Sequence, residues 1–198
     1  KLMRRYENLK LVNKKNSGKA DSLNQGIKLA TGELVAVVDA DSYPAKDSFK
    51  KLVGFFDDKK VGVATCFITP KNKSSFMEKM QVIEYNVIAF TRKLLGFVDA
   101  IYVTPGPLAL YRKSALLKIG GFDKKFFLFF EEADLSKRIN ALGLKNYIIP
   151  QAKIIHLGGE STKKRDDIEE IFNKSKFYYF RKWHGLLGAI IVQVFTSI

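Results

Sequence analysis

Asp39 and Asp41 stand one residue apart where the apolar run Leu34-Val35-Ala36-Val37-Val38 stops, and Ser42 follows. Five apolar, mostly β-branched residues read as a buried strand. Carboxylates just past such a strand lie at the mouth of an open α/β sheet, where these sheets take ligands. Two crowded acids repel each other unless a cation sits between them. Hard divalent ions take oxygen ligands and often bridge to a substrate phosphate. The pair therefore reads as a metal–diphosphate site. It reads equally as a strand followed by an Asp-Ser turn into a helix at Ala45, and on this stretch alone both readings stay open.

Three further groups could carry chemistry. Glu131, Glu132 and Asp134 follow the aromatic run Phe126–Phe130 and open a pattern continued by Leu135, Arg138, Ile139 and Leu142 before Gly143. This is a helix with acids in its first turn and glycine after its end. Asp134 and Arg138, four apart, pair on its face. The acids can serve the helix dipole alone, or one of them can act as a base beneath the aromatic wall. Gly18 and Lys19 open a helix spaced by Ala20, Leu23, Ile27 and Ala30. Free N–H groups at such a start suit an anion, although the stretch is not a Walker A loop and also reads as a solvated helix start. His156 ends a short strand before Leu157-Gly158-Gly159. A lone histidine is usually structural; one in this place is also a metal or phosphate candidate.

The elements that must position these groups follow from periodicity. Leu11-Val12 is a possible short strand. A helix over Ala45–Asp57 carries Phe49, Leu52, Val53 and Phe56, and Val61–Ile68 is a strand. Phe76, Met80, Ile83, Val87, Phe90, Leu94 and Phe97 recur at spacings of four and three, which predicts one helix of about six turns. Its apolar width favours a core helix over one shared with a bilayer surface. Ala100–Val103 and Leu108–Tyr111 flank a Thr-Pro-Gly-Pro connection, and a short helix reaches Ile119. Lys145–Ile149 and Lys153–His156 read as strands around Pro150. A basic, aromatic amphipathic helix spans Asp166–His184, and Gly185–Ile198 is apolar and uncharged. Fourteen such residues are too few to span a bilayer, so they read as an interfacial helix or the start of a span.

A chain of 198 residues, 46% of them hydrophobic, suits one domain with a sizeable core. The single cysteine, Cys66, lies in an apolar run and reads as a small buried hydrophobe. The net charge of +14 suits a polyanionic partner: nucleic acid, phosphorylated substrate or anionic membrane face. The lysines are scattered through the chain in short runs, and there is no zinc-finger spacing.

The order of these pieces resembles the family-2 glycosyltransferases of GT-A fold. Asn16–Gly26 is followed by Gly32-Glu33 and Asp39-Ala40-Asp41-Ser42. Gly106-Pro107, Arg112 and Gly120-Gly121-Phe122-Asp123 come next, then Glu131-Glu132-Ala133-Asp134-Leu135, Arg138, Gly143 and His156-x-Gly-Gly. The Gly-Lys-Ala…Leu-Asn-x-Gly block looks like the processive members that build hyaluronan, chitin or poly-N-acetylglucosamine. The part from Phe126 to His184 looks like the rhamnosyltransferase type.

The resemblance implies an α/β fold with a mostly parallel central sheet flanked by helices. Residues 1–184 would be a GT-A catalytic domain lacking its N-terminal nucleotide-binding part, and 185–198 an apolar C-terminal segment. It implies an inverting, metal-dependent transfer from a nucleotide-diphosphate sugar, a UDP-sugar above others, to a saccharide or lipid-linked acceptor in cell-envelope polysaccharide synthesis. Asp41 and Asp39 would hold Mg²⁺ or Mn²⁺, with His156 a further ligand. Lys19, Asn24, Asp39 and Asp41 would bind the donor. Glu132, or Glu131 beside it, would be the base. Gly106, Pro107, Arg112 and Asp134 would shape the sugar and acceptor pocket. The place implied is the cytoplasmic face of a membrane, with a membrane surface rather than nucleic acid as partner. A basic nucleic-acid or anionic-membrane binding module without catalysis is the alternative. Two departures from the family pattern lie in these residues: a glutamate stands at the base position where aspartate is commoner, and Arg181-Lys182-Trp183 only echoes the Gln-x-x-Arg-Trp motif of the processive enzymes.

Overall fold

The computed structural model describes residues 6–70, 74–97, 106–157 and 165–196. In chain order these form α1 (Lys19–Leu29), β1 (Leu34–Val38), β2 (Ser42–Pro44) and α2 (Ser48–Val53), which runs into a 3₁₀ turn over Gly54–Asp57. Next come β3 (Val61–Pro70), α3 (Phe76–Phe97), β4 (Leu108–Arg112), α4 (Lys113–Lys118), α5 (Glu131–Asn140), β5 (Lys145–His156) and α6 (Ile168–Phe195). The expected Ala100–Val103 run and the Gly158-Gly159 pair lie outside the described residues. Leu11-Val12 takes no strand geometry and is exposed.

The five strands form one sheet in the order β1-β4-β3-β5-β2. Strand β4 is antiparallel to both β1 and β3, β3 is parallel to β5, and β2 is antiparallel to β5. Strands β1, β3 and β5 therefore run the same way. The α/β class expected from the sequence holds, but the sheet is mixed rather than mostly parallel, because β4 inserts reversed between β1 and β3.

The central strands explain themselves. Val61–Cys66 is buried at every position, as a strand covered on both faces must be. On one face Val63, Ala109 and Tyr111 pack against Ile27 of α1, Leu116 of α4 and Leu135 and Ile139 of α5. On the other, Ala64, Cys66, Leu108 and Leu110 pack against Leu52 of α2, Phe56 and Ile154. Leu52 is fully buried, and such burial is worth about 1.5–3 kcal/mol. The two strands expected around Pro150 are one. The β3–β5 register jumps between Cys66/Ile149 and Phe67/Lys153, so Pro150 sits in a bulge where its missing N–H interrupts no ladder.

One apolar helix departs from expectation, and a second is broken by a kink. The α3 stripe is not core: Phe76, Met80, Ile83, Val87, Phe90 and Leu94 are all exposed. Periodicity fixes that a helix has an apolar face, not what lies on it. The apolar tail is helical and is set off from the rest of α6 by a kink. Gly185 takes φ 73°, ψ −179° inside α6, a kink open to glycine. Beyond it the chain stays helical and buries Ala189, while the Lys176 ammonium donates to Thr196 Oγ1 at 2.6 Å.

Candidate active site

The acids after β1 are fixed by the ends of the sheet. Asp39 N–H donates to the Pro107 carbonyl (3.1 Å), and Ser42 N–H donates to the Asp39 carbonyl (3.1 Å). The β2–β5 ladder pairs Ser42 with His156, and Leu157 N–H donates to the Asp41 carbonyl at 3.1 Å. This pairing brings an imidazole 115 positions downstream next to the acids. His156 Nε2 lies 3.2 Å from Asp41 Oδ1. One ligand atom from each of Asp39, Asp41 and His156 falls within 4.8 Å of the others. Two carboxylates and an imidazole, all half-buried, suit a divalent cation that keeps positions for water or phosphate oxygens.

A second set of acids meets the first through Lys19. Its ammonium lies 2.6 Å from Glu132 Oε1, 3.2 Å from Asp39 Oδ1 and 3.4 Å from Glu131 Oε1. Burial works to lower the Lys19 pKa, but the charges of Glu132, Glu131 and Asp39 outweigh it and hold the ammonium well above the ordinary lysine range. Burial first, and then repulsion from Glu132, pushes the Glu131 carboxyl above the usual glutamate range; Lys19 offsets part of this. Glu131 is 1% exposed and faces inward, whereas Glu132 is 14% exposed and lines a cleft between α5 and α6. Gly106 makes room for the pair. A Cβ there would lie 2.5 Å from Glu132 Oε1 and 3.2 Å from Lys19 Nζ.

The start of α1 is not an open anion site. Gly18, at φ 94°, lets the helix dock on the chain before α5, and Lys19 N–H donates to the Phe127 carbonyl at 2.8 Å. A Cβ on Gly18 would stand 2.6 Å from that carbonyl oxygen. The anion-facing group at this helix is thus the Lys19 side chain, not its amide.

Three expected site residues are placed elsewhere. Asn24 is buried; its amide donates to the Phe122 carbonyl and its oxygen accepts Phe122 N–H, both at 2.8 Å, so it clamps a turn rather than facing a donor. Arg112 donates to the carbonyls of Val61 (3.0 Å), Phe56 (2.9 Å) and Asp58 (2.9 Å), so it ties the 3₁₀ turn to the sheet instead of shaping an acceptor pocket. Asp134 is fully buried and accepts from Arg138 Nε (2.8 Å), Lys182 Nζ (2.7 Å) and Trp183 Nε1 (3.0 Å). Its carboxylate ties α5 to α6. Only the Arg138 partner was legible, from its i,i+4 spacing; Lys182 and Trp183 lie 48 and 49 positions on. Gly106 lies against Glu132 and Lys19, and the Pro107 carbonyl accepts Asp39 N–H.

Comparison with known proteins gives the family and the fold. A family model, Glycosyl transferase family 2, matches residues 1–120. A poly-beta-1,6-N-acetyl-D-glucosamine synthase of Staphylococcus aureus (strain COL) is 36% identical over 110 residues, covering 54% of this chain and 27% of that protein. The synthase of the same name from Staphylococcus epidermidis is 37% identical over the same length and shares. The match thus spans about a quarter of those relatives. Among solved structures, a mannosyltransferase from Pyrobaculum calidifontis in complex with GDP-Man and Mn²⁺ superposes with a TM-score of 0.54 at 21% identity, covering 91% of this chain and 45% of that one. The likeness is one of fold, and the fold is GT-A. With the family model matching well over half of its length, the chain belongs to glycosyl transferase family 2.

Proposed function

We propose that this chain carries the catalytic centre of an inverting, metal-dependent glycosyltransferase. It takes a sugar from a nucleotide-diphosphate sugar, a UDP-sugar in the first place, and passes it to a saccharide or lipid-linked acceptor of a cell-envelope polysaccharide. The observation that carries the reading is the convergence of two acid groups far apart in sequence: Asp39 and Asp41 with His156, joined through Lys19 to Glu132. The staphylococcal relatives named for poly-beta-1,6-N-acetyl-D-glucosamine synthesis and the neighbour solved with GDP-Man and Mn²⁺ support it.

Asp39, Asp41 and His156 would hold Mg²⁺ or Mn²⁺. When bound, that cation supplies positive charge against the departing diphosphate. Glu132 takes the proton of the acceptor hydroxyl as its oxygen bonds to the anomeric carbon. The bond from that carbon to the diphosphate oxygen breaks on the opposite side, and its electron pair leaves with the diphosphate. Lys19, whose charge is secured by the surrounding carboxylates, holds Glu132 in place and faces the same anion. Glu131, inside the wall, is the weaker candidate for the base.

The setting we propose is a membrane's cytoplasmic face. The exposed apolar residues of α3 and of the α6 tail, such as Phe90, Leu187 and Phe195, support it. No helix among the described residues is long and apolar enough to cross a membrane.

The test is release of UDP from UDP-N-acetylglucosamine by the natural full-length protein with Mn²⁺ and a saccharide acceptor. Asp41→Asn and Glu132→Gln should each lose at least about a hundredfold in turnover. Wild-type turnover in both would overturn the assignment. Salt-sensitive binding to DNA or anionic vesicles, with no turnover and no dependence on Asp41 or Glu132, would favour the non-catalytic reading instead.

A further inference from the structure

Helix α3 turns one apolar face away from the domain. Phe76, Met80, Ile83, Val87, Phe90 and Leu94 follow one another at intervals of four and three and are 46 to 74% exposed. Val82, Tyr85 and Ile88, on the opposite side of the helix, are half-buried, and α3 packs against β3 and β5. The contact with the sheet is therefore made by other residues, and the six apolar side chains are left over from it.

This seam is narrow, and its edges are mostly polar. Intervals of four and three are those of the d and a positions of a heptad repeat, with Phe76, Ile83 and Phe90 at d and Met80, Val87 and Leu94 at a. The flanking rows are g, with Lys79 and Asn86, and e, with Met77, Glu84 and Thr91; all five are exposed. A helix that sinks into a bilayer surface has a strongly charged polar face rich in cations. A two-column seam between polar rows suits another helix instead. The α3 sequence has two acids and three bases, in a chain whose net charge is +14. The positive charge of the chain is thus not gathered on this helix.

We propose that this face is the interface for a second copy of the chain, paired along α3 as a parallel, two-stranded coiled coil. The charges select both the partner and its direction. In a parallel pair each g residue faces the e residue five positions on in the other helix. Lys79 then faces Glu84 of the partner subunit, and Glu84 faces Lys79 of the partner subunit, so one surface supplies both halves of two ion pairs. Asn86 and Thr91 take the next such place, where their side chains can hydrogen-bond. An antiparallel pair sets e against e, so Glu84 would meet only Met77, Glu84 or Thr91 and find no cation. The sheet lies on the far side of each helix, so the two domains sit outside the seam. The exposed apolar residues of the α6 tail remain to meet a membrane. The inference stands apart from the glycosyl-transfer reading.

The test is the association state of the 198-residue chain, followed by sedimentation equilibrium over about 0.5 to 50 µM. A monomer–dimer equilibrium should fall within that range. Ile83→Glu puts a charge into the seam and should weaken pairing at least about a hundredfold. Ile83 is exposed, so the variant keeps its fold, which circular dichroism checks. Lys79→Glu and Glu84→Lys should each weaken self-association about tenfold, because each turns two attractive pairs into two repulsive ones. Mixed in equal amounts, these two variants should pair with each other as tightly as the wild type does with itself. A second helix gives that rescue, and a lipid surface does not. Asp41→Asn should dimerise as the wild type does. The proposal is overturned by a monomer across the range, by wild-type dimerisation of Ile83→Glu, or by a mixture that associates no more tightly than its parts. It is also overturned by a monomer whose binding to phosphatidylglycerol vesicles is lost in Ile83→Glu, which would give the face to lipid.

Discussion

Replacing Gly106 by alanine adds one methyl group to the floor of the site. The new Cβ would lie 2.5 Å from Glu132 Oε1, 3.2 Å from Glu132 Cδ and 3.2 Å from Lys19 Nζ. Real Cβ atoms essentially never come closer than 3.0 Å, so the carboxylate must move by at least 0.5 Å, the difference between 3.0 and 2.5. Gly106 is not among the glycines at positive φ, so its backbone accepts alanine without strain. The atoms that must move are the free ends of side chains, and the fold should tolerate them. Catalytic geometry is less forgiving: a misplacement of about 1 Å can cost a hundredfold. Gly106→Ala should therefore lower kcat about ten- to a hundredfold while shifting Tm by less than about 2 °C, read by UDP release and by calorimetry on the same preparation. Unchanged kcat at unchanged Tm would refute the reasoning, because Glu132 would then do its work from a displaced position. A large drop in Tm would refute it differently, by showing that the backbone and not the side chains had moved.

Other predictions follow from the core and the α5–α6 tie. Burial pushes the Cys66 thiol up to about 12. The native chain should resist thiol reagents at pH 8 and react only on unfolding. Because the folded pKa is raised, the contribution of Cys66 to stability is complete below the unfolded value of about 8.5 and is lost as pH climbs toward the folded one. Stability measured by urea at pH 7 to 10.5 should thus fall less steeply in Cys66→Ala than in the wild type. Trp183→Phe removes the 3.0 Å donor to buried Asp134 and keeps the ring. It should cost about 1.5–3 kcal/mol in urea denaturation; a cost near zero would show that Arg138 and Lys182 already satisfy the carboxylate. Asp134→Leu takes the carboxylate from Arg138, leaves Lys182 with Asp123 at 2.8 Å, and should cost about 3–5 kcal/mol.

Much of this was legible from the chain, for local reasons. The strand before Asp39, the acid-started helix at Glu131, the Asp134–Arg138 pair and the position of His156 all rest on short-range patterns. Those patterns survive folding because they are enforced within one element. What escaped was set by distant pairings. Asn24 and Arg112 are polar groups at suggestive positions, but backbone groups at Phe122 and Phe56–Val61 need them more. The mixed sheet escaped because no local signal tells that β4 returns between β1 and β3. The exposed α3 stripe escaped because amphipathicity names a face and not its cover. The rings that meet around Phe130 were visible in part as an aromatic run, but their direction depends on left-handed Phe129 and Phe130, which hydropathy does not encode.

The Lys19–Glu132 contact closes a stretch of 113 residues, and His156 arrives later still. On a ribosome, the first aspartates and their lysine emerge long before the base or the imidazole exists. A nascent chain halted at residue 130 would hold Asp39, Asp41 and Lys19 without Glu131, Glu132 or His156. The constellation is thus completed only when β5 has been made and laid beside β3.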